Sequence, residues 1–443
     1  MMRRWSSAFL FAGAGLAAAG LSGCGTGVSS SSASAPAMVT AAPVQGLVMG
    51  GQQPVAGVTV QLYQAGTTGY GSQAMKLGPT VPTASNGNFS LPSYTCTANT
   101  QVYLVGTSGM PTTTLTNANL ALMVGLGTCG GPDLKTFINV NELTTVATVW
   151  ALAPFMTGIA NIGSDTSNAT GLANAFAVIN ELVATSSGTM PGPSLPAGAT
   201  LPTNEINTLA DILEQCINSG GGKAGDGSGC GMLFQYAPNA AGTVYPTDTI
   251  TAMMNIAQNP GRNVSQLNKL RSGSPVFSPA FDVNTAPNAW TIAITYTGGG
   301  LNAPSSVATD ANGSVWVTNK GNNSVTKLDY SGAAVSGASG FTAGGFSSPA
   351  AIAIDTGGNA WVANSGSGSN SITRLNSMGN TGTVYSGNGL STPESIAIDG
   401  LGDVWVGNAG ANTVSAFNNN GSPLSAYSGG GTSAPVSVAV TPK

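Results

Sequence analysis

Sixteen carboxylates, five cysteines and no histidine define the chemistry open to this chain of 443 residues. Without imidazole there is no Ser-His-Asp triad, no Cys-His dyad and no histidine-ligated zinc or haem. Five acids, Glu142, Glu181, Glu205, Asp211 and Glu214, fall in one stretch of helical periodicity. Two carboxylates could share general acid and base work. The same placement suits a solvated helix face, and Glu142 and Glu205 suit first helical turns, where the helix dipole favours an anion. A second set recurs at intervals of about 44 residues. It comprises Asp310, Asp355 and Asp399, then Trp316, Trp361 and Trp405, then Asn319, Asn364 and Asn408. In a closed ring the three asparagine amides would line one rim as candidate ligand contacts; otherwise each caps the following turn. One aspartate per turn falls short of the roughly six to eight oxygens that Ca²⁺ takes, so no metal site is expected. The tryptophans, flanked by Val317, Val362 and Val406, read as packing groups rather than sugar platforms.

The cysteines carry a different chemistry. Setting Cys24 aside leaves Cys96, Cys129, Cys216 and Cys230. An even number suits disulfides in an exported chain, and four cysteines allow three pairings. Nearest-neighbour pairing, Cys96 with Cys129 and Cys216 with Cys230, keeps each bridge inside one segment. The second bridge would restrain the Gly-rich loop from Asn218 to Gly229. Clustered ligand spacing for a metal is absent, and no cofactor is expected.

Composition narrows the partners. Lys and Arg number 12, charged residues are 6%, and the formal net charge is -4. No basic stripe can form, so nucleic acid is excluded as a partner. Hydrophobic types at 42% also exclude highly charged disorder.

The elements that must position these groups change along the chain. Arg3 and Arg4 precede an apolar run from Ala8 to about Ala19, too short to span a bilayer. The small residues Ala17 to Ala19 offer an ordinary cleavage site. Leu21-Ser22-Gly23-Cys24 resembles the lipobox of bacterial lipoproteins. The resemblance implies cleavage after Gly23 and lipidation of Cys24, anchoring the chain in the cell envelope. Gly25 rather than Asp after that cysteine implies the outer membrane. Residues 24–43 read as a flexible tether.

Period-2 alternation marks strands at residues 44–48, 58–63 and 101–105, with a tight turn at Asn86-Gly87. Gly46, Val48, Pro54, Val55, Gly57, Val58, Val60, Leu62, Thr83, Gly87 and Phe89 resemble the carboxypeptidase regulatory-like, prealbumin-type module. That resemblance implies a non-catalytic β-sandwich over residues 44–130. Residues 131–270 then show four amphipathic stripes, led by Leu143, Leu172, Ile206 and Ile250, with Asn141 and Thr203 as N-caps.

Residues 271–443 hold the repeat. Each copy reads Pro-x-x-[Val/Ile]-Ala-x-Asp, a turn closed by Gly313, Gly358 or Gly402, then Trp-Val-x-Asn and a third strand. Three copies follow Pro304, Pro349 and Pro393, and a fourth opens at Pro435. They resemble NHL-type and streptogramin-lyase-like β-propeller repeats, which implies radially stacked four-stranded blades. Asn288–Tyr296 looks like part of a degenerate copy that could share a blade with Val436–Val440; the rival expectation is an open or incomplete array. The lyase chemistry of that family rests on a histidine that this chain lacks, so it does not carry over. The expected architecture is therefore multidomain: β-sandwich, small α-helical region, then a propeller-like array. The expected function is a non-catalytic, envelope-anchored lipoprotein whose blades bind protein or polysaccharide. The alternatives are a carboxylate- and Mg²⁺-dependent lyase or hydrolase, and a structural surface-assembly protein.

Overall fold

The computed structural model describes residues 37–131, 137–271 and 274–441. Residues 1–36, with Cys24, lie outside them. The fold is mostly β-sheet with few helices. Ten strands come first: β1 (Met38–Ala41), β2 (Val44–Gly50), β3 (Gln53–Pro54), β4 (Thr59–Gln64), β5 (Met75–Pro82), β6 (Asn88–Leu91), β7 (Tyr94–Thr97), β8 (Gln101–Thr107), β9 (Ala121–Thr128) and β10 (Phe137–Val140). One sheet runs β5-β4-β8-β9, and a second is built around β2, which pairs with β3, β6 and β10. Alternate residues explain their packing. Val60, Leu62, Val102, Leu104 and Val124 of the first sheet meet Val48, Phe89, Ile138 and Val140 of the second in one core. The Asn86-Gly87 turn needs its glycine: Gly87 has φ +77°, and a Cβ there would lie 2.7 Å from the Val48 carbonyl oxygen. Cys96 and Cys129 are bonded, tying β7 to the end of β9 across a Cα separation of 6.1 Å.

The other face of the first sheet is also apolar, and this changes the expected layout. Tyr63, Tyr103, Val105 and Met123 pack into a second core with Val146, Phe176, Leu209 and Met253. The helices that supply those partners are α1 (Glu142–Leu152), α2 (Ala169–Leu182), α3 (Thr203–Ile217) and α5 (Thr249–Gln258). A sheet that is apolar on both faces must be covered on both. The helices are therefore the third layer over a shared sheet, not a free-standing spacer. Strand β10 deepens the join by pairing parallel with β2. A hairpin of β11 (Met156–Gly158) and β12 (Asn161–Ile162) and the short helices α4 (Gly229–Tyr236) and α6 (Val264–Asn268) complete this part. Among the described residues no helix is long and apolar enough to cross a membrane.

Threonines on the helices close the edge of the sheet. Strand β9 is terminal in its sheet, so one row of its amides has no strand partner. Ala121 N–H donates to Thr249 Oγ1 at 2.8 Å. Met123 N–H and Gly125 N–H donate to Thr145 and Thr148 Oγ1, each at 3.0 Å. Helix α1 starts at a capping box in which Asn141 and Thr144 exchange hydrogen bonds. For α3 the cap position is Pro202, and Thr203 is the first helical residue. Cys216 at the end of α3 is bonded to Cys230 at the start of α4.

Three antiparallel blades follow. The first has β13 (Pro304–Thr309), β14 (Val315–Asn319) and β15 (Ser324–Leu328). The second has β16 (Pro349–Ile354), β17 (Ala360–Asn364), β18 (Ser371–Leu375) and β19 (Gly382–Ser386). The third has β20 (Pro393–Ile398), β21 (Val404–Asn408), β22 (Thr413–Phe417) and β23 (Pro423–Ser428). In the first blade single bridges at Ala334 and Phe341 stand where the fourth strand runs in the others. The trailing face of each blade packs on the leading face of the next. Trp316 and Val325 meet Phe346, Ile352, Val362 and Leu375. Trp361 and Ile372 meet Leu390, Ile396, Val406 and Phe417.

Among the described residues the blades form no closed ring. Residues 288–296 and 436–440 share no blade: the latter carry no strand assignment, and Val436 is exposed. Trp290 is buried in the helical core instead, its carbonyl accepting from Trp150 Nε1 at 3.2 Å. Tyr296 nevertheless holds a blade-like position. Its ring covers Gly332, as Phe341 covers Gly379 and Tyr385 covers Gly421. It thus mimics the outer aromatic of a preceding blade, while its hydroxyl donates to Glu181 of α2 at 2.7 Å.

Candidate functional site

The repeated residues build one device three times. The Asp310 carboxylate closes the turn between the first two strands by accepting from Asn312 N–H and Ser314 N–H, both at 3.0 Å. Asp355 does the same with Gly357 and Asn359, and Asp399 with Leu401 and Asp403. Glycine is required next: Gly313, Gly358 and Gly402 have φ of +81°, +77° and +87°. The second carboxylate oxygen accepts from the indole Nε1 of Trp316, Trp361 or Trp405 at 3.0–3.1 Å. Each turn is thereby fixed to its tryptophan, which in the first two blades packs against the next blade.

Across each tryptophan, on the third strand, lies a register partner: Lys327, Arg374 or Ala416. Lys327 Nζ sits 4.4 Å from the Trp316 ring centre and 3.4 Å from Asp310. Arg374 lies 5.6 Å over Trp361, with Nε 3.7 Å from Asp355. An aromatic completes each set: Phe341 tilted against Trp316, Tyr385 stacked on Trp361 at 5.6 Å, and Tyr427 stacked on Trp405 at 5.7 Å. Burial is the largest single influence on Asp310 and Asp355 and acts upward. The hydrogen bonds and the adjacent cation outweigh it together and hold both carboxyls below their ordinary value.

Asn319, Asn364 and Asn408 do not form a ligand rim. All three are fully buried. Their Oδ1 atoms accept from Asn302, Ser347 and Ser391 N–H on the segment entering the blade. Their Nδ2 groups donate to hydroxyls of the third strand: Ser324 and Thr326, Ser371 and Thr373, Thr413 and Ser415. An amide whose donors and acceptor are spent inside the blade has nothing to offer a ligand.

Of the five helical acids only Glu214 is half-exposed, accepting from Gln215 and Asn218 side chains; the other four are not a solvated face. Glu142, Glu181, Glu205 and Asp211 are all buried. Burial pushes Glu142 up to about 8, Glu181 and Glu205 to about 7, and Asp211 to about 6. Each holds a different segment. Glu142 Oε1 accepts from Gly51 N–H at 2.8 Å, and Glu181 from the Tyr296 hydroxyl. Glu205 Oε1 accepts from Thr291 N–H at 2.6 Å, and Asp211 Oδ1 from Val276 and Phe277 N–H, both at 2.9 Å. Three of the four tie down the irregular segment leading from the helices to the blades. They act as staples.

The surface that stands out is the trailing face of the third blade. Trp316 and Trp361 are fully buried, whereas Trp405 is only partly covered. A cavity of about 380 Å³ opens beside it, between Asp399 and residues 438–441. On the leading face of the first blade Val307 is 63% exposed, while its equivalents Ile352 and Ile396 are 6% and 9% exposed. Sequence reasoning missed this asymmetry. Its signal was the third-strand series Lys327, Arg374, Ala416.

No family model matches the chain, and neither does any curated protein. Among solved structures, a streptogramin B lyase aligns at 21% identity and a TM-score of 0.26, over 32% of this chain and 44% of that one. A catalytically inactive variant of virginiamycin B lyase from Staphylococcus aureus, with quinupristin, aligns at 19% identity and TM-score 0.28, over 32% and 46%. A nidogen/laminin complex aligns at 13% and 0.28, over 33% and 55%. The chain thus spans about half the length of these proteins. Likenesses of that extent leave its function to its own geometry.

Proposed function

We propose that the protein is a non-catalytic, envelope-anchored lipoprotein that uses its blades to bind a protein partner. The observation that carries the reading is the trailing face of the third blade, which residues 438–441 cover only in part. Twice an equivalent face is sealed against a neighbouring blade, and the third time Trp405 stays partly exposed beside a cavity walled by residues 438–441. An exposed apolar face with a polar rim is how soluble proteins present interaction surfaces. Exposed Tyr427, stacked on Trp405, extends it along β23. The engagement of each buried acid with its own segment supports a scaffold role for them. The anchor reading rests on Leu21 to Cys24 in the sequence.

Two measurements test this. Palmitate should label the protein in its host, and Cys24→Ala should abolish the label; retained label removes the anchor. The purified chain, titrated against defined peptide and polysaccharide panels, should bind peptides and lose them on Tyr427→Asp. Polysaccharide binding alone, or turnover that depends on added Mg²⁺, would overturn the reading.

A further inference from the structure

We infer that residues 435–440 are the first strand of a fourth blade whose second strand is supplied by the partner protein, as an uncharged extended segment added antiparallel to them. This rests on the reading that the blades bind protein, and says how the partner is held. The template is internal. Each blade is entered through a residue held at positive φ just before a proline: Ala303 at +46°, Ser348 at +42° and Thr392 at +45°. Ala434, before Pro435, stands at +42°. A residue other than glycine keeps such a conformation only where its surroundings fix it. Ser348 N–H donates to Asn323 Oδ1 at 2.8 Å and Thr392 N–H to Asn370 Oδ1 at 3.0 Å, each asparagine lying between the second and third strands of the preceding blade. Ala434 N–H donates in the same way to Asn412 Oδ1 at 2.7 Å. The side chains that follow repeat too. Ile352 and Ile354 share a core with Trp316, and Ile396 and Ile398 with Trp361; Val438 and Val440 lie beside Trp405.

What this segment lacks is the neighbour that its equivalents have. In the second blade Ile352, Ala353 and Ile354 face Val362, Trp361 and Ala360; in the third Ile396, Ala397 and Ile398 face Val406, Trp405 and Val404. Among the described residues, 435–440 pair with no strand. Val436 is 71% exposed, whereas Ala350 at the same place in the second blade is 8% exposed. Open edges are commonly blunted by charge or proline, and Val436 to Thr441 contains neither. The same gap accounts for Trp405. The second strand of the next blade contributes Ala360 and Val362 to the seal over Trp316, and Val404 and Val406 to the seal over Trp361. A segment with small apolar residues at two alternate positions continues that interface over Trp405. Charge agrees: residues 429–441 carry none, and neither do the template strands 360–364 and 404–408. In a second copy those strands are paired within its own blades, so the segment comes from another protein. The backbone ladder of such an added strand gives affinity, and its alternate side chains give selectivity.

The test adds the peptide Gly-Asn-Ala-Trp-Val-Ala-Asn-Ser, the second-strand sequence of residues 358–365, to the full chain and follows amide hydrogen exchange by mass spectrometry. The peptide should protect residues 436–441 saturably. Neighbouring amides of an added strand point to opposite edges, so N-methylation at the peptide's tryptophan and at its valine should differ in effect. One should weaken binding about tenfold, for a lost ladder hydrogen bond, and the other should be tolerated. Ser437→Pro and Val438→Pro suit extended backbone and each remove one amide; they should split in the same way, with thermal stability unchanged. If either variant misfolds, the pair of methylated peptides still decides. Equal effects of the two methylations overturn strand addition. Panel peptides that bind without protecting 436–441 overturn it while leaving the protein-binding reading intact. No binding of any peptide overturns both. Protection of 436–441 that grows with protein concentration alone makes a second copy the occupant and overturns the partner segment.

Discussion

Replacing Glu142 by glutamine should remove the largest single share of the pH dependence of the fold's stability. Glu142 begins α1, is fully buried, and holds Gly51 through Oε1. Its other oxygen has no partner, and Glu214 and Asp211 on α3 add their charges to the effect of burial. Burial comes first, and the result is a carboxyl raised from 4.5 to about 8. The folded state then keeps its proton between those values while the unfolded state releases it. The contribution is therefore complete below pH 4.5, declines across the window, and is lost once the pH passes about 8. At about 1.4 kcal/mol per unit, the full swing has a ceiling of about 5 kcal/mol. Glu181, Glu205 and Asp211 are raised too and push the same way over narrower windows. Glutamine keeps the Oε1 acceptor and cannot ionise. Urea unfolding at pH 5 and pH 9, followed by circular dichroism, should show the wild type weaker at pH 9. Glu142→Gln should match it at pH 5 and exceed it at pH 9. Parallel pH profiles for the two proteins would mean that Glu142 is ionised in the fold, and would refute the reasoning.

Other expectations follow from single contacts. Asp355→Ala strips the acceptor from Gly357 N–H, Asn359 N–H and Trp361 Nε1; a loss of about 1–3 kcal/mol, chiefly from the stranded indole of buried Trp361, should appear in unfolding, with Asp355→Asn milder. Thr148→Val leaves Gly125 N–H without its acceptor on the β9 edge and should cost about 1–3 kcal/mol, whereas valine at exposed Thr113 should be silent. Opening the bond between Cys216 and Cys230, 14 residues apart, with a double serine variant should cost about 3 kcal/mol; an unchanged midpoint would mean the loop is held by other contacts.

The features readable in the sequence were those with a short period or a repetition. Strands β2, β4 and β8 alternate, and the turn aspartates, tryptophans and glycines recur in register. The layering was less readable. The run Gln101-Val102-Tyr103-Leu104-Val105-Gly106 is buried at every position, the mark of a sheet covered twice, yet one covering layer accounted for its alternation. In α1, Thr144, Thr145 and Thr148 are buried, and two of them serve strand β9 through contacts that no periodicity of the helix encodes. The acids of α2 and α3 looked solvated because their partners, Thr291 and Tyr296, lie in a segment with no periodicity. Helices α4 and α6 were too short and, in α4, too glycine-rich to register. Asn288–Tyr296 misled in half its length: Tyr296 keeps the aromatic register of a blade, while Trp290 belongs to the helical core. The asparagines were placed on the correct strands, but burial, which decides their role, depends on the blade that packs beside them.

The most direct test of the central claim is the accessibility of the three blade tryptophans in solution. Hydroxyl-radical footprinting of the full chain, read by mass spectrometry, reports oxidation at Trp316, Trp361 and Trp405 separately. The account predicts faster oxidation at Trp405 and protection at the other two, with Trp405 becoming protected when a peptide that binds the blades is added. Equal protection of all three in the free protein would contradict it, because the trailing face of the third blade would then be covered and could not be the binding surface.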